Sequence, residues 1–119
     1  ACAQQAEGII IPTSFAPVTP EAKHAADALQ AMNASMDLHN AGAWENIFTL
    51  KTLIEKQKIM GRPDTVQEDR KKMREGLANL KETEGLLGKV GRTSDREAIK
   101  PFLFVHAKNA KWEVAHSPK

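Results

Sequence analysis

The chain has a single cysteine, Cys2, among its 119 residues. An internal disulfide is excluded, and cysteine usage says nothing about redox compartment. No histidine lies near Cys2 in sequence, so a catalytic thiol is not expected. No apolar run approaches the length of a membrane span, and the charged-then-apolar pattern of a secretory signal is absent. The lack of a starting Met leads to the expectation of a processed N-terminus or an excised piece. Charge of one sign is nowhere concentrated: 17 basic residues are interleaved with 15 acidic ones for a net +2. That pattern fits a solvated surface and no nucleic-acid partner. His24, His39, His106 and His116 are scattered without ligand spacing, so no metal site is expected. Glu82 and Glu84 have no nucleophile or partner beside them for acid–base work. Nothing points to an enzyme or a cofactor, and no internal repeat or low-complexity segment is visible.

What is present suits one folded unit: 41% hydrophobic and 27% charged residues are ordinary for a globular chain. The strongest element runs from Asp37 to Lys58. Leu38, Ala41, Trp44, Ile47, Phe48, Leu50, Leu53 and Ile54 recur at helical spacing, Asp37 suits the start, and Gly61 and Pro63 mark the stop. A helix this apolar needs cover from the remaining segments or from a partner.

Before it, Gly8 to Ile11 is a β-branched run expected as a strand buried on both faces of a parallel sheet. Thr13 to Pro17 leaves that strand as an extended segment carrying an exposed-looking Phe15. Thr19-Pro20-Glu21 opens a helix with Ala22, Ala25, Ala26, Leu29 and Met32 on its apolar side, ending near Asn33. After the central helix, Thr65 to Glu68 has the capping-box pattern and opens a third helix with Val66, Met73, Leu77 and Leu80 inward and Gly85 at its end. The charged run Glu68 to Lys72 reads as its solvated face. Ile99 to His106 is expected as a strand with Pro101 near its start. Asn109, in a left-handed conformation, turns it into a returning strand over Lys111 to Ala115. Trp44, Phe48, Phe102, Phe104 and Trp112 are expected in the core.

Four stretches, in this order, resemble the C-terminal portion of type I periplasmic binding proteins of the branched-chain amino acid or amide group of ABC-transporter receptors. They are Ala6 to Thr13, Ala43-Trp44-Glu45-Asn46, Arg74 to Gly88, and Ala107 to Trp112. The family usually has Tyr and Asp where Trp44 and Glu45 stand, and a different turn pair where Asn109-Ala110 stands. The resemblance implies an α/β chain that is a fragment of a two-lobed fold. Residues 1–33 would supply a second-lobe strand and helix, 34–85 first-lobe helices, and 86–119 the C-terminal strands and hairpin. It implies a periplasmic receptor that closes on an amino acid or small amide and is read by a membrane permease. About two-thirds of such a receptor would lie outside this chain, including the first-lobe groups that hold the ligand's charged ends.

The resemblance places Thr13, Ser14 and Phe15 at a lobe crossover beside the cleft, where they would form a polar clamp with an apolar wall. His39 and Asn40 are the second candidates, near enough to reach hinge or cleft. The plain readings are a strand-to-helix connector and exposed helical residues. Self-association is a further expectation, through exposed helix and strand surfaces or by exchange of the first strand and helix at Asn33 to Met36. The competing class is a stand-alone dimeric interaction module, and a mildly basic regulatory domain is a third.

Overall fold

Gly8, at φ +81°, turns the chain out of a 3-10 turn over Ala3–Ala6 and into its first strand. A computed structural model describes residues 3–116; Cys2 lies outside them. The elements are β1 (Ile10–Thr13), α1 (Pro20–Gln30), α2 (Leu38–Lys56), α3 (Val66–Ala78), β2 (Glu82–Gly85), β3 (Gly88–Arg92), β4 (Ala98–Ile99), β5 (Leu103–Lys108) and β6 (Lys111–His116). The fold is mixed α/β, with three helices and two small antiparallel sheets ordered β1-β5-β6 and β2-β3-β4.

The first strand corrects the parallel reading. β1 lies at a sheet edge, antiparallel to β5, with Ile11 opposite Val105 and Thr13 opposite Leu103. The edge accommodates Pro12, which has no N–H to give an outer neighbour. Ile10 is 60% exposed rather than buried. Pro101 likewise divides the strand expected from Ile99 to His106. Ala98–Ile99 pairs with β3, and Leu103–Lys108 joins the other sheet. The β5–β6 turn places Asn109 at φ 52° and Ala110 at φ 59°.

Helix starts follow local chemistry. Thr19 accepts from the Ala22 N–H at 3.0 Å with Pro20 at the first helical position, and Asp37 accepts from the Asn40 N–H at 2.8 Å. Thr65 departs from the capping box: its hydroxyl donates to Asp69 at 2.8 Å and makes no cap bond. Asp69 is buried, correcting the solvated reading of that run, because its carboxylate accepts from the Gly61 N–H at 2.9 Å and ties down the α2–α3 loop. α3 packs through Asp69 and Gly76 while Val66 and Leu77 are exposed. A Cβ on Gly76 would come within 3.2 Å of Leu53, so glycine permits the close approach to α2. The helix ends at Ala78, not Gly85, and Glu82–Gly85 is strand. The Asn79 side chain donates to the Glu75 carbonyl and caps that end.

The core is two small clusters. One holds Phe15, Ala22, Ala25, Ala41 and Leu86, with Met36, Trp44 and Leu87 against it; the other holds Ala16, Leu103 and Val105, again with Leu87. Phe15 is buried, contrary to its exposed look in the sequence. Met32, Phe48, Phe102 and Trp112 are exposed where core positions were expected, because no element among the described residues covers them. The radius of gyration is 17.7 Å; a compact chain of this length has about 13.5 Å.

Candidate functional site

Glu45 lies on the inner side of α2, with its side chain only 12% exposed. One carboxylate oxygen accepts from the Leu86 N–H at 2.9 Å, and the other pairs with the Lys100 ammonium. The Leu86 carbonyl in turn accepts from the hydroxyl of Thr19, the residue that caps α1. Both backbone polar groups of this turn residue are thus satisfied by helix residues far away in sequence. Gly85 makes the approach possible. A Cβ there would lie 2.6 Å from Val90 Cγ2 and 2.7 Å from Glu45 Oε1.

This anchored turn closes one end of a groove of about 640 Å³ between α1, α2 and β2. Trp44, Phe48, Leu53, Leu80 and Leu86 give it an apolar floor, and Glu21, His24, Lys56, Glu82 and Glu84 stand among its polar lining. Trp44 meets Phe48 at a ring separation of 5.5 Å and His24 edge-on at 6.5 Å. Glu82 is paired with Lys89 at 2.7 Å. The volume suits a small organic molecule. Among the described residues no group of three or more His, Cys, Asp or Glu is arranged to hold a metal ion.

The residues singled out in the sequence fall elsewhere. The Thr13 hydroxyl donates to the Phe15 carbonyl and accepts from the Phe15 N–H, both at 3.3 Å, closing a local turn. Ser14 is half-buried, and the Phe15 ring packs in the cluster with Ala41 and Leu86. His39 and Asn40 are exposed on the first turn of α2, where the Asn40 amide donates to the Ser35 carbonyl at 2.9 Å. Phe15 packs against α2 at Ala41, the residue after Asn40, but among the described residues no hydrogen bond joins Thr13 or Ser14 to His39 or Asn40. The groove itself was not legible in the sequence: its lining comes from α1, α2 and the stretch Leu80 to Leu86, which are far apart in the chain. Glu45 had a signal, its place in the Ala-Trp-Glu-Asn stretch, but its partner did not. No protein-family model matches the chain, and no curated protein sequence matches it.

Proposed function

We infer that the chain is part of a periplasmic solute receptor that delivers an amino acid or small amide to an ABC importer, and that it acts by closing one lobe on another around the ligand. The observation that carries this reading is the surface it leaves bare. Its solvent-accessible area is 9037 Å², about 2,600 Å² above that of a compact protein of the same mass. Large apolar side chains are among what it leaves bare: Ile47, Phe48 and Ile54 of α2, and Ile11, Trp112 and Val114 of the β1-β5-β6 sheet. In a two-lobed receptor these are the surfaces that the rest of each lobe covers. The Thr13–Phe15 segment, which joins β1 to the first helix, and the Lys100–Phe102 segment, which joins the two sheets, are then the crossovers, with Thr13, Ser14, His39 and Asn40 offering polar groups to the ligand and Phe15 supporting them from the core.

The test is ligand binding by a polypeptide that includes the coding sequence preceding Ala1. Calorimetric titration with branched-chain amino acids and short amides is expected to give micromolar or tighter binding, weakened by Thr13→Ala and Ser14→Ala. The 119-residue chain alone is expected to bind weaker than micromolar, since it supplies one wall of the cleft. Absence of binding by the longer polypeptide, or micromolar binding by the short monomer, overturns the reading.

A further inference from the structure

β2 is an edge strand, and the groove runs beside it. The Arg92 N–H donates to the Lys81 carbonyl at 2.9 Å, and along the same ladder Glu82 lies opposite Gly91 and Glu84 opposite Lys89. Alternation in an antiparallel pair then turns the backbone groups of Lys81, Thr83 and Gly85 towards β3 and those of Glu82, Glu84 and Leu86 away from it. The chain itself closes this outer row at Leu86, whose N–H goes to Glu45 and whose carbonyl accepts from Thr19. Among the described residues the N–H and C=O groups of Glu84 and Glu82 have no such partner. They repeat at about 6.8 Å, twice the rise of a strand.

The side chains of β2 divide by face. Thr83 and Gly85 face α2: a Cβ on Gly85 would meet Glu45, and Val90, opposite Thr83, is buried. Glu82 and Glu84 stand on the other face with Lys89. Glu82 holds Lys89 at 2.7 Å, which leaves Glu84 without an ion pair among the described residues.

We propose that this edge takes an extended peptide as an added antiparallel strand, with basic residues opposite Glu82 and Glu84 and apolar residues between them. An extended backbone supplies a donor and an acceptor at the repeat of the open row. Residues paired with Glu82 and Glu84 put their side chains on the carboxylate face, where an opposite charge across the strands is favourable and a like charge is not. Residues paired with Lys81, Thr83 and Gly85 put theirs on the face towards α2, where Trp44 and Phe48 form the floor. The lining follows α2 from Trp44 to Lys56. That is about 18 Å of helix, and five residues of strand span about 17 Å. The inference does not rest on the receptor reading, since it uses none of Thr13, Ser14, His39 or Asn40.

The probe is the capped pentapeptide Val-Lys-Val-Lys-Val, titrated calorimetrically into the 119-residue chain. Its dissociation constant is expected below ~1 mM. N-methylation of both lysine amides removes the donors to β2 and is expected to weaken binding ~10-fold or more. N-methylation of the central valine amide, which points away from β2, is expected to change it less than ~2-fold. Val-Glu-Val-Glu-Val is expected to bind ~10-fold more weakly than the lysine peptide, and Glu84→Lys, at an exposed position, to reverse that preference. Amide exchange followed by NMR is expected to show the Glu82 and Glu84 N–H groups protected only when the lysine peptide is bound, and the Thr83 N–H protected throughout. Absence of binding at ~1 mM peptide overturns the proposal. So does binding that is indifferent to methylation of the lysine amides, or protection that arises on β1 or β6 in place of Glu82 and Glu84. The methylation series uses the unaltered chain, so it decides the matter even where Glu84→Lys fails to fold.

Discussion

The carboxylate of Glu45 reaches across 41 residues of sequence to accept the backbone N–H of Leu86. It joins the middle of α2 to the β2–β3 turn, and through Lys100 it also joins the segment between β4 and β5. Glu45→Ala leaves a buried N–H without a partner and is expected to destabilise the fold by about 2 kcal/mol. Gly85→Ala drives a methyl group into the same contact and should cost about 1–3 kcal/mol. Gly42→Ala provides the control. It lies inside α2 with open space around it, and it should stabilise by about 0.5–1 kcal/mol. Urea denaturation midpoints measure all three, and equal behaviour of the two glycine variants would contradict the anchored turn.

Asp69 gives the fold a pH dependence. The Thr65 hydroxyl is the main cause holding its carboxyl below the usual range; burial pushes the other way, and the Gly61 and Met60 N–H groups and Lys72 add to the lowering. Because the folded pKa lies below the unfolded value of about 3.9, the stabilisation is fully present above that value. It is lost as pH falls through the folded pKa. Unfolding midpoints from pH 6 down to pH 2 should therefore decline, and Asp69→Asn should flatten the part of the decline due to this group. An unchanged slope in the variant would assign the acid sensitivity to other carboxylates.

Ala110 occupies the second position of the β5–β6 turn at φ 59°, a conformation that places its Cβ against the backbone. Glycine has no such penalty. Ala110→Gly is expected to raise stability by about 1 kcal/mol, read as a higher thermal midpoint. A lower midpoint would mean that the turn relaxes away from the left-handed geometry.

Trp44 is half-buried, packed on the Phe15 cluster and against Phe48. Trp44→Ala should cost about 2 kcal/mol, less than the roughly 3–5 kcal/mol of a fully enclosed large aromatic. It should also widen the groove, so a hydrophobic dye that fluoresces in apolar surroundings is expected to bind more strongly. An unaltered melting temperature would place the indole on the outer side of α2.

Helices α1 and α2 were legible from the chain alone, together with their caps at Thr19 and Asp37 and the hairpin at Asn109, because each depends on residues within a few positions of one another. The apolar pattern of α2 also announced a surface in need of cover. What the sequence could not decide was which of its apolar residues would find it. β1 reads as an interior strand until β5 arrives from 90 residues later and leaves it at an edge. Asp69 reads as solvated until the α2–α3 loop folds over it, and the strand at Glu82–Gly85 continues a helical pattern until it pairs with β3. Pairing, burial and the walls of the groove are set by contacts between distant segments. Local periodicity is the same whichever partner a face meets, so only the tertiary structure distinguishes the covered side of α2 from the bare one.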